Sequence, residues 1–69
     1  MSRLHALVHL EKHAPADLDA RTLRVLHEQI RHELVIFLPN PDECAPEIAE
    51  LDAAKVRIEA ELASRGLAP

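Results

Sequence analysis

The chain has 69 residues, a net charge of −4 and a single cysteine, Cys44. A chain of this length forms at most one domain, and domains this small often need a disulfide, a metal or a second chain for stability. One cysteine excludes a disulfide within the chain and favours a reducing compartment. We therefore expect a cytoplasmic protein with no signal peptide at its start.

The composition indicates a helical protein and argues against two classes of partner. Ala, Glu, Lys, Leu and Arg make up more than half of the chain, which is typical of long helices, and there is only one glycine and one aromatic residue. Charges balance over residues 1–38, so all the net negative charge falls in residues 39–69. This distribution predicts no nucleic-acid partner. The longest apolar run, residues 34–38, is too short to cross a bilayer, so we also predict no membrane partner.

The first segment, residues 2–13, is compatible with a helix or a strand. Leu4 begins an alternation of apolar and polar residues that fits a strand. A helix would be capped by Ser2 and would place Leu4 and Leu7 on one face. The composition favours a helix or arm, which ends before Pro15 because the residue before a proline avoids the helical conformation.

The second segment, residues 15–38, is predicted to be a long helix. Pro15 suits a first helical turn, and apolar residues recur at steps of three and four to form a core stripe: Leu23, Leu26, Ile30, Leu34 and Phe37. Val25, His32, Val35 and Ile36 fall on the far side of this helix. That side begins polar, with Arg21 and Glu28, and turns apolar towards its end. A rival interpretation makes residues 34–38 a buried strand, which with a strand at residues 3–11 would give a βαβα domain.

The third segment is a loop at residues 39–45 followed by a helix at residues 46–66. Pro39 and Pro41 each remove a backbone donor and end the preceding helix. Gly66 is the only glycine, and we expect it to adopt the left-handed conformation beyond the last helical turn. Leu67 would then contact Leu62 in a Schellman motif.

This last helix carries two apolar stripes, although a surface helix needs only one. The large stripe consists of Ile48, Leu51, Ile58 and Leu62. The alanine stripe consists of Ala49, Ala53, Val56, Ala60 and Ala63, and it continues to Leu67. Because small side chains let helix backbones approach closely, we place the alanine stripe against the second helix. The large stripe would then face residues 2–13, a second copy or another protein, and the reverse assignment remains open.

Three histidines spaced four apart are the strongest candidates for a metal site. His5, His9 and His13 could offer two imidazoles to zinc or copper, but a third ligand would have to come from Glu11, Cys44 or a second chain. A metal-binding accessory protein is therefore the alternative function. The favoured interpretation predicts no metal and no cofactor.

The sequence predicts no catalytic residue. His27 and His32 superficially resemble the zinc-binding pair of a metallopeptidase helix, but they are five positions apart and point about 140° apart around a helix. We interpret His27 as a polar residue at the core edge and His32 as an interface residue. Cys44 has no recognisable base near it in sequence, so we interpret it as a bystander thiol.

The sequence therefore predicts an all-α fold in which a short N-terminal helix or arm is followed by an antiparallel two-helix hairpin. We interpret the chain as a non-enzymatic protein-interaction subunit, such as a small adaptor, co-chaperone or inhibitor. It would pack on another copy of itself or on a helical partner protein. The candidate partner-binding residues are Val25, Ile36, Ile48, Leu51, Ile58 and Leu62.

In length and outline, two helices joined by the loop at residues 39–45, the chain resembles the hairpin co-chaperones of type III secretion needle subunits. The resemblance implies a similar mode of action, in which a helical hairpin covers a helix of its partner.

Overall fold

The computed structural model describes residues 5–68, with side chains from Leu7 onward. These residues form three α-helices, α1 (His5–Lys12), α2 (Ala20–Phe37) and α3 (Ala45–Ser64), and a short 3-10 turn at Pro15–Asp17. The all-α prediction is confirmed, and no strand occurs between residues 5 and 68, so the βαβα interpretation is wrong. The proposed cap Ser2 lies outside the described residues.

The N-terminal segment is helical where the structure describes it. Leu10 is buried and Leu7 packs beside it against the core. The helix ends as expected before Pro15, and its last turn closes with a hydrogen bond from the backbone N–H of His13 to the carbonyl of His9 at 3.0 Å. The strand interpretation of this segment fails because Leu7 and Leu10 lie on one face only at helical spacing.

The long helix begins five residues later than predicted. Asp19 has an extended backbone, and its side chain accepts a hydrogen bond from the backbone N–H of Thr22 at 3.3 Å, which makes it the N-cap. This contact also lowers the pKa of Asp19. Pro15 instead opens the 3-10 turn, after which Leu18 returns to the extended conformation.

The hairpin connection follows from the two prolines. α2 includes residues 34–37 of the apolar segment that the rival interpretation makes a strand, and it ends at Phe37. The backbone N–H of Leu38 still donates to the carbonyl of Leu34 at 2.9 Å. Turns then occupy residues 38–44, and the N–H of Cys44 donates to the carbonyl of Asn40 at 3.0 Å. Helical geometry can resume at Ala45 because the next residue, a proline, lies in the first turn.

The end of α3 is the Schellman motif that the sequence predicts. Gly66 has a φ of +75°, and its N–H donates to the carbonyl of Ala63 at 2.9 Å. The N–H of Leu67 donates to the carbonyl of Leu62, also at 2.9 Å, and Leu67 packs against the core.

The core lies where the large stripe of α3 meets the other two helices. Leu51, Ile58 and Leu62 have no exposed surface, and Ala54 is also buried. Their neighbours in the core come from α1 and α2: Leu10, Leu23, Leu26 and Ile30. Leu51, Ile58 and Leu62 of the large stripe are therefore buried within the chain itself.

The placement of the alanine stripe against α2 is wrong, and the reverse assignment is correct. Its members on α3 are all exposed: Ala49, Ala53, Val56, Ala60 and Ala63. Burying leucine and isoleucine removes far more apolar surface from water than burying alanine, at about 25 cal/mol per Å². The alanine of α3 that does enter the core is Ala54, which belongs to neither stripe.

This packing predicts opposite results for two aliphatic residues only two positions apart on α3. Ile58→Ala should lower the free energy of unfolding by about 2–5 kcal/mol, since it leaves a cavity in the core. Val56→Ala should change it by less than about 0.5 kcal/mol, because Val56 is exposed. Urea unfolding followed by circular dichroism measures both, and equal losses would contradict the assignment.

The Schellman motif predicts a conformational cost at Gly66. A Cβ at this position would meet no atom within 4 Å, so a side chain is disfavoured only by the left-handed backbone. Gly66→Ala should therefore lower the free energy of unfolding by about 1 kcal/mol. Gly66→Asn, which tolerates this conformation better, should cost less in the same urea measurement. A cost for asparagine at least as large as for alanine would contradict this explanation.

Candidate interaction surface

The side of α2 opposite the core carries large apolar side chains in contact with solvent. We call it the outer face of α2 and define it by five exposed residues: Val25, Glu28, His32, Val35 and Ile36. The three aliphatic residues are 50%, 67% and 55% exposed, in that order. Their position follows from helix geometry, because the core stripe of α2 fixes which side points away.

The apolar character continues past the end of the helix. Leu38 is 56% exposed, and the adjoining prolines Pro39 and Pro41 are exposed as well. The sequence analysis considered Leu38 only as the end of the apolar run at residues 34–38, because it falls outside the core stripe of the helix. The exposed apolar side chains of α2 are thus concentrated towards the hairpin turn.

The structure separates the six predicted partner-binding residues into two groups. Val25 and Ile36 lie on the outer face of α2 and are available to a partner. Leu51, Ile58 and Leu62 are core residues, and Ile48 is half-buried at the start of α3. Packing against α1 and α2 buries the three core residues completely, so they cannot contact a partner. The candidate surface therefore rests on the two predicted residues of α2.

One pair of opposite charges borders the outer face of α2. An Nη atom of Arg31 lies 3.4 Å from a carboxylate oxygen of Glu28, one turn earlier, and both side chains are well exposed. An exposed pair of this kind contributes at most about 1 kcal/mol to folding. Beside the apolar side chains, the pair presents one negative and one positive group to solvent.

A second polar contact joins α2 to α3 at the core edge. Nε2 of His27 lies 2.8 Å from a carboxylate oxygen of Glu59, and Nζ of Lys55 lies 3.6 Å from the same oxygen. His27 is 7% exposed, which agrees with its interpretation as a satisfied residue at the core edge. The hydrogen bond from His27, aided by Lys55, lowers the pKa of Glu59.

Arg65 has a role that the sequence pattern did not reveal. Its guanidinium Nη2 donates to the carbonyls of Pro15, Ala16 and Leu18 at 3.2, 3.3 and 2.6 Å, while its Nε donates to Glu61 at 2.8 Å. The side chain thereby fastens the 3-10 turn between α1 and α2 to the end of α3. The sequence did not predict these hydrogen bonds, because contacts about fifty positions apart in the chain leave no periodic signal.

The histidines of the N-terminal segment do not form a recognisable metal site in the part of the chain that the structure describes. The rings of His9 and His13 have centroids 5.0 Å apart and are tilted by 43°. No group of three potential ligands from His, Cys, Asp and Glu occurs among the described residues. The side chain of His5 lies outside them, so the metal-binding alternative stays a prediction.

A shallow groove of about 270 Å³ runs between α1 and α3. Leu7, Leu10 and Ala53 line it, and Arg57 lies at its border. Its volume falls just below the range usual for small-molecule sites. Across residues 5–68, no helix is long and apolar enough to span a bilayer.

Comparison of the chain with protein families, with curated proteins and with solved structures finds no match. The likeness to secretion co-chaperones therefore rests on length and outline.

The contact between His27 and Glu59 predicts a pH-dependent contribution to stability. Because the pKa of Glu59 is lowered in the folded chain, its stabilising effect is complete above the ordinary glutamate value of 4.5 and is lost as the pH falls through the folded value. Glu59→Gln should thus lower the free energy of unfolding at neutral pH, by less than about 1 kcal/mol for a partly exposed pair. The difference from the wild type should disappear in acid.

Urea unfolding between about pH 7 and about pH 3 covers the titration of glutamate. Glu50→Gln is the matched control, since Glu50 is an exposed residue of the same helix. A deficit of Glu59→Gln that stayed constant across this range would contradict the role assigned to the ionised carboxylate.

Proposed function

We propose that this chain is a non-enzymatic protein-interaction subunit that binds its partner through the outer face of α2. The observation that carries the proposal is the exposure of Val25, Val35 and Ile36 on one side of a helix whose other side is already packed. A small adaptor, a co-chaperone or an inhibitor would act in this way, by covering a helix of another copy or of a different protein.

The residue types on this face support the proposal. Valine and isoleucine have lower intrinsic helix propensity than alanine, lysine or glutamate, and at an exposed position they gain nothing from the core. At Val25, Val35 and Ile36 they therefore favour neither the helix nor the fold of a single chain. A contact with another apolar surface would give them the burial that the hairpin does not.

The energetic scale is sufficient for a specific contact. Each of these side chains is about half exposed or more, and full burial of a valine or isoleucine contributes about 1.5–3 kcal/mol. Even a part of that gain, summed over three residues, is large beside the few kcal/mol by which small domains are stable. The surrounding polar residues Glu28 and His32 would then decide which partner fits.

Photo-crosslinking from the outer face of α2 tests the proposal. A photoreactive amino acid placed at Val35, in cells that produce the chain, should give defined covalent products after illumination. The matched control carries the same amino acid at Val56, which is exposed to a similar extent on α3. An additional Ile36→Glu change should abolish the products, because it places a charge beside Val35 within the apolar contact.

The products should be absent or different when the photoreactive group is at Val56. Identical products from both positions, or none from Val35, would contradict a contact through the outer face of α2.

A further inference from the structure

We propose that His9 and His13 form an open chelating site for a divalent transition-metal ion at the end of α1. The two imidazoles hold the ion and water completes its coordination, so the site needs no third ligand from the chain. It lies on a different helix from the outer face of α2 and goes beyond the proposed function, which does not depend on it. Three observations lead to it: the backbone register of the two histidines, the separation of their rings and their position on the helix.

The backbone keeps the two histidines one helical turn apart. His13 follows Lys12, the last residue of α1, but its N–H donates to the carbonyl of His9 at 3.0 Å, which is the helical hydrogen bond between positions i and i+4. Side chains with this spacing lie on one face of a helix. Two histidines four positions apart on one face supply two of the zinc ligands in a metallopeptidase helix, so one metal ion can accept both.

The two rings already have the separation that one metal ion requires. A ring nitrogen binds zinc at about 2.0–2.1 Å, which places the metal about 3.2 Å from the centroid of the five-membered ring. Two such rings at an angle of about 90–110° around the metal have centroids about 4.5–5.2 Å apart. The centroids of His9 and His13 are 5.0 Å apart, and the rings are tilted by 43°. Binding therefore requires at most a rotation of the rings and no movement of the helix.

The site is open to solvent and lies where a cation is favoured. His13 is exposed and His9 is half-buried. Nε2 of His9 is buried, so we assign Nδ1 of this ring to the metal. The C-terminal end of a helix carries a partial negative charge, which favours a cation there. No group of three ligands from His, Cys, Asp and Glu occurs among the described residues, so the ion should be held reversibly.

Two neutral imidazoles select the chemical class of the ion. Imidazole suits zinc, copper and nickel, whereas calcium and magnesium prefer oxygen ligands. For one site, the affinity of divalent ions rises from Mn²⁺ through Ni²⁺ to Cu²⁺ and falls again at Zn²⁺. Ni²⁺ is the probe of choice, because Cu²⁺ would also oxidise the free thiol of Cys44.

Calorimetric titration of the purified full chain with Ni²⁺ is the first test. The wild type should bind one ion per chain. His9→Gln and His13→Gln should each weaken this binding at least tenfold, because a single imidazole loses the advantage of a chelate. His32→Gln is the matched control, with an exposed histidine on α2, and should bind within a few-fold of the wild type. No saturable binding up to about 1 mM Ni²⁺, or equal losses at His32 and His13, overturns the proposal.

A change of spacing tests the chelate itself. The double variant Glu11→His with His13→Gln keeps five histidines, but the new one lies two positions from His9 and about 160° away around the helix. It should bind as weakly as His13→Gln alone, and recovery of the wild-type affinity overturns the proposal. His5→Gln should remain within a few-fold of the wild type, and a loss as large as that of His13→Gln overturns the assignment of the pair.

Thermal unfolding followed by circular dichroism supplies a second readout. An ion that binds the folded chain stabilises it, so saturating Ni²⁺ should raise the melting temperature of the wild type by a few degrees. It should leave that of His13→Gln unchanged. His13 is exposed, so this variant should keep its helix content without metal, and its loss of binding then reports the missing ligand. An equal rise in both proteins overturns the proposal.

Discussion

The fold depends on how α3 buries its large stripe. Leu51, Ile58 and Leu62 lose all their exposed surface, and they do so against residues from both other helices. No other set of side chains on α3 can remove as much apolar surface from water. The stripe therefore fixes the rotation of α3 about its own axis. That rotation turns the alanine stripe towards solvent and brings Glu59 within hydrogen-bonding distance of His27.

Polar side chains then secure the edges of this arrangement. The link between His27 and Glu59 joins α2 to α3 beside the core, and Arg65 attaches the turn between α1 and α2 to the end of α3. Hydrogen bonds from a charged guanidinium to backbone carbonyls are stronger than those between neutral groups. A short N-terminal helix with few buried residues can thus hold its place over the core. These contacts depend on the apolar packing, since none of them could form if α3 were rotated.

The candidate surface is a consequence of the same packing. Because α2 directs Leu23, Leu26 and Ile30 inward, Val25 and Ile36 must face outward. These two residues were identifiable from periodicity alone. Leu51, Ile58 and Leu62 were equally periodic, but periodicity describes a face and does not say which neighbour covers it. The error at these positions therefore lay in tertiary pairing and not in secondary structure.

The sequence by itself determined the helical class, the turn at Pro39 and Pro41, and the Schellman motif at Gly66. Each of these depends on residues within about one or two helical turns, where steric and hydrogen-bonding rules act locally. The cap of α2 at Asp19 is equally local, since its side chain accepts from the N–H of Thr22, but the sequence analysis placed the start of the helix at Pro15. Only the tertiary structure decided which stripe of α3 enters the core. That choice arises because α1, α2 and α3 share one small core. The stripe that buries the larger apolar area occupies it, and the other stripe is left in water.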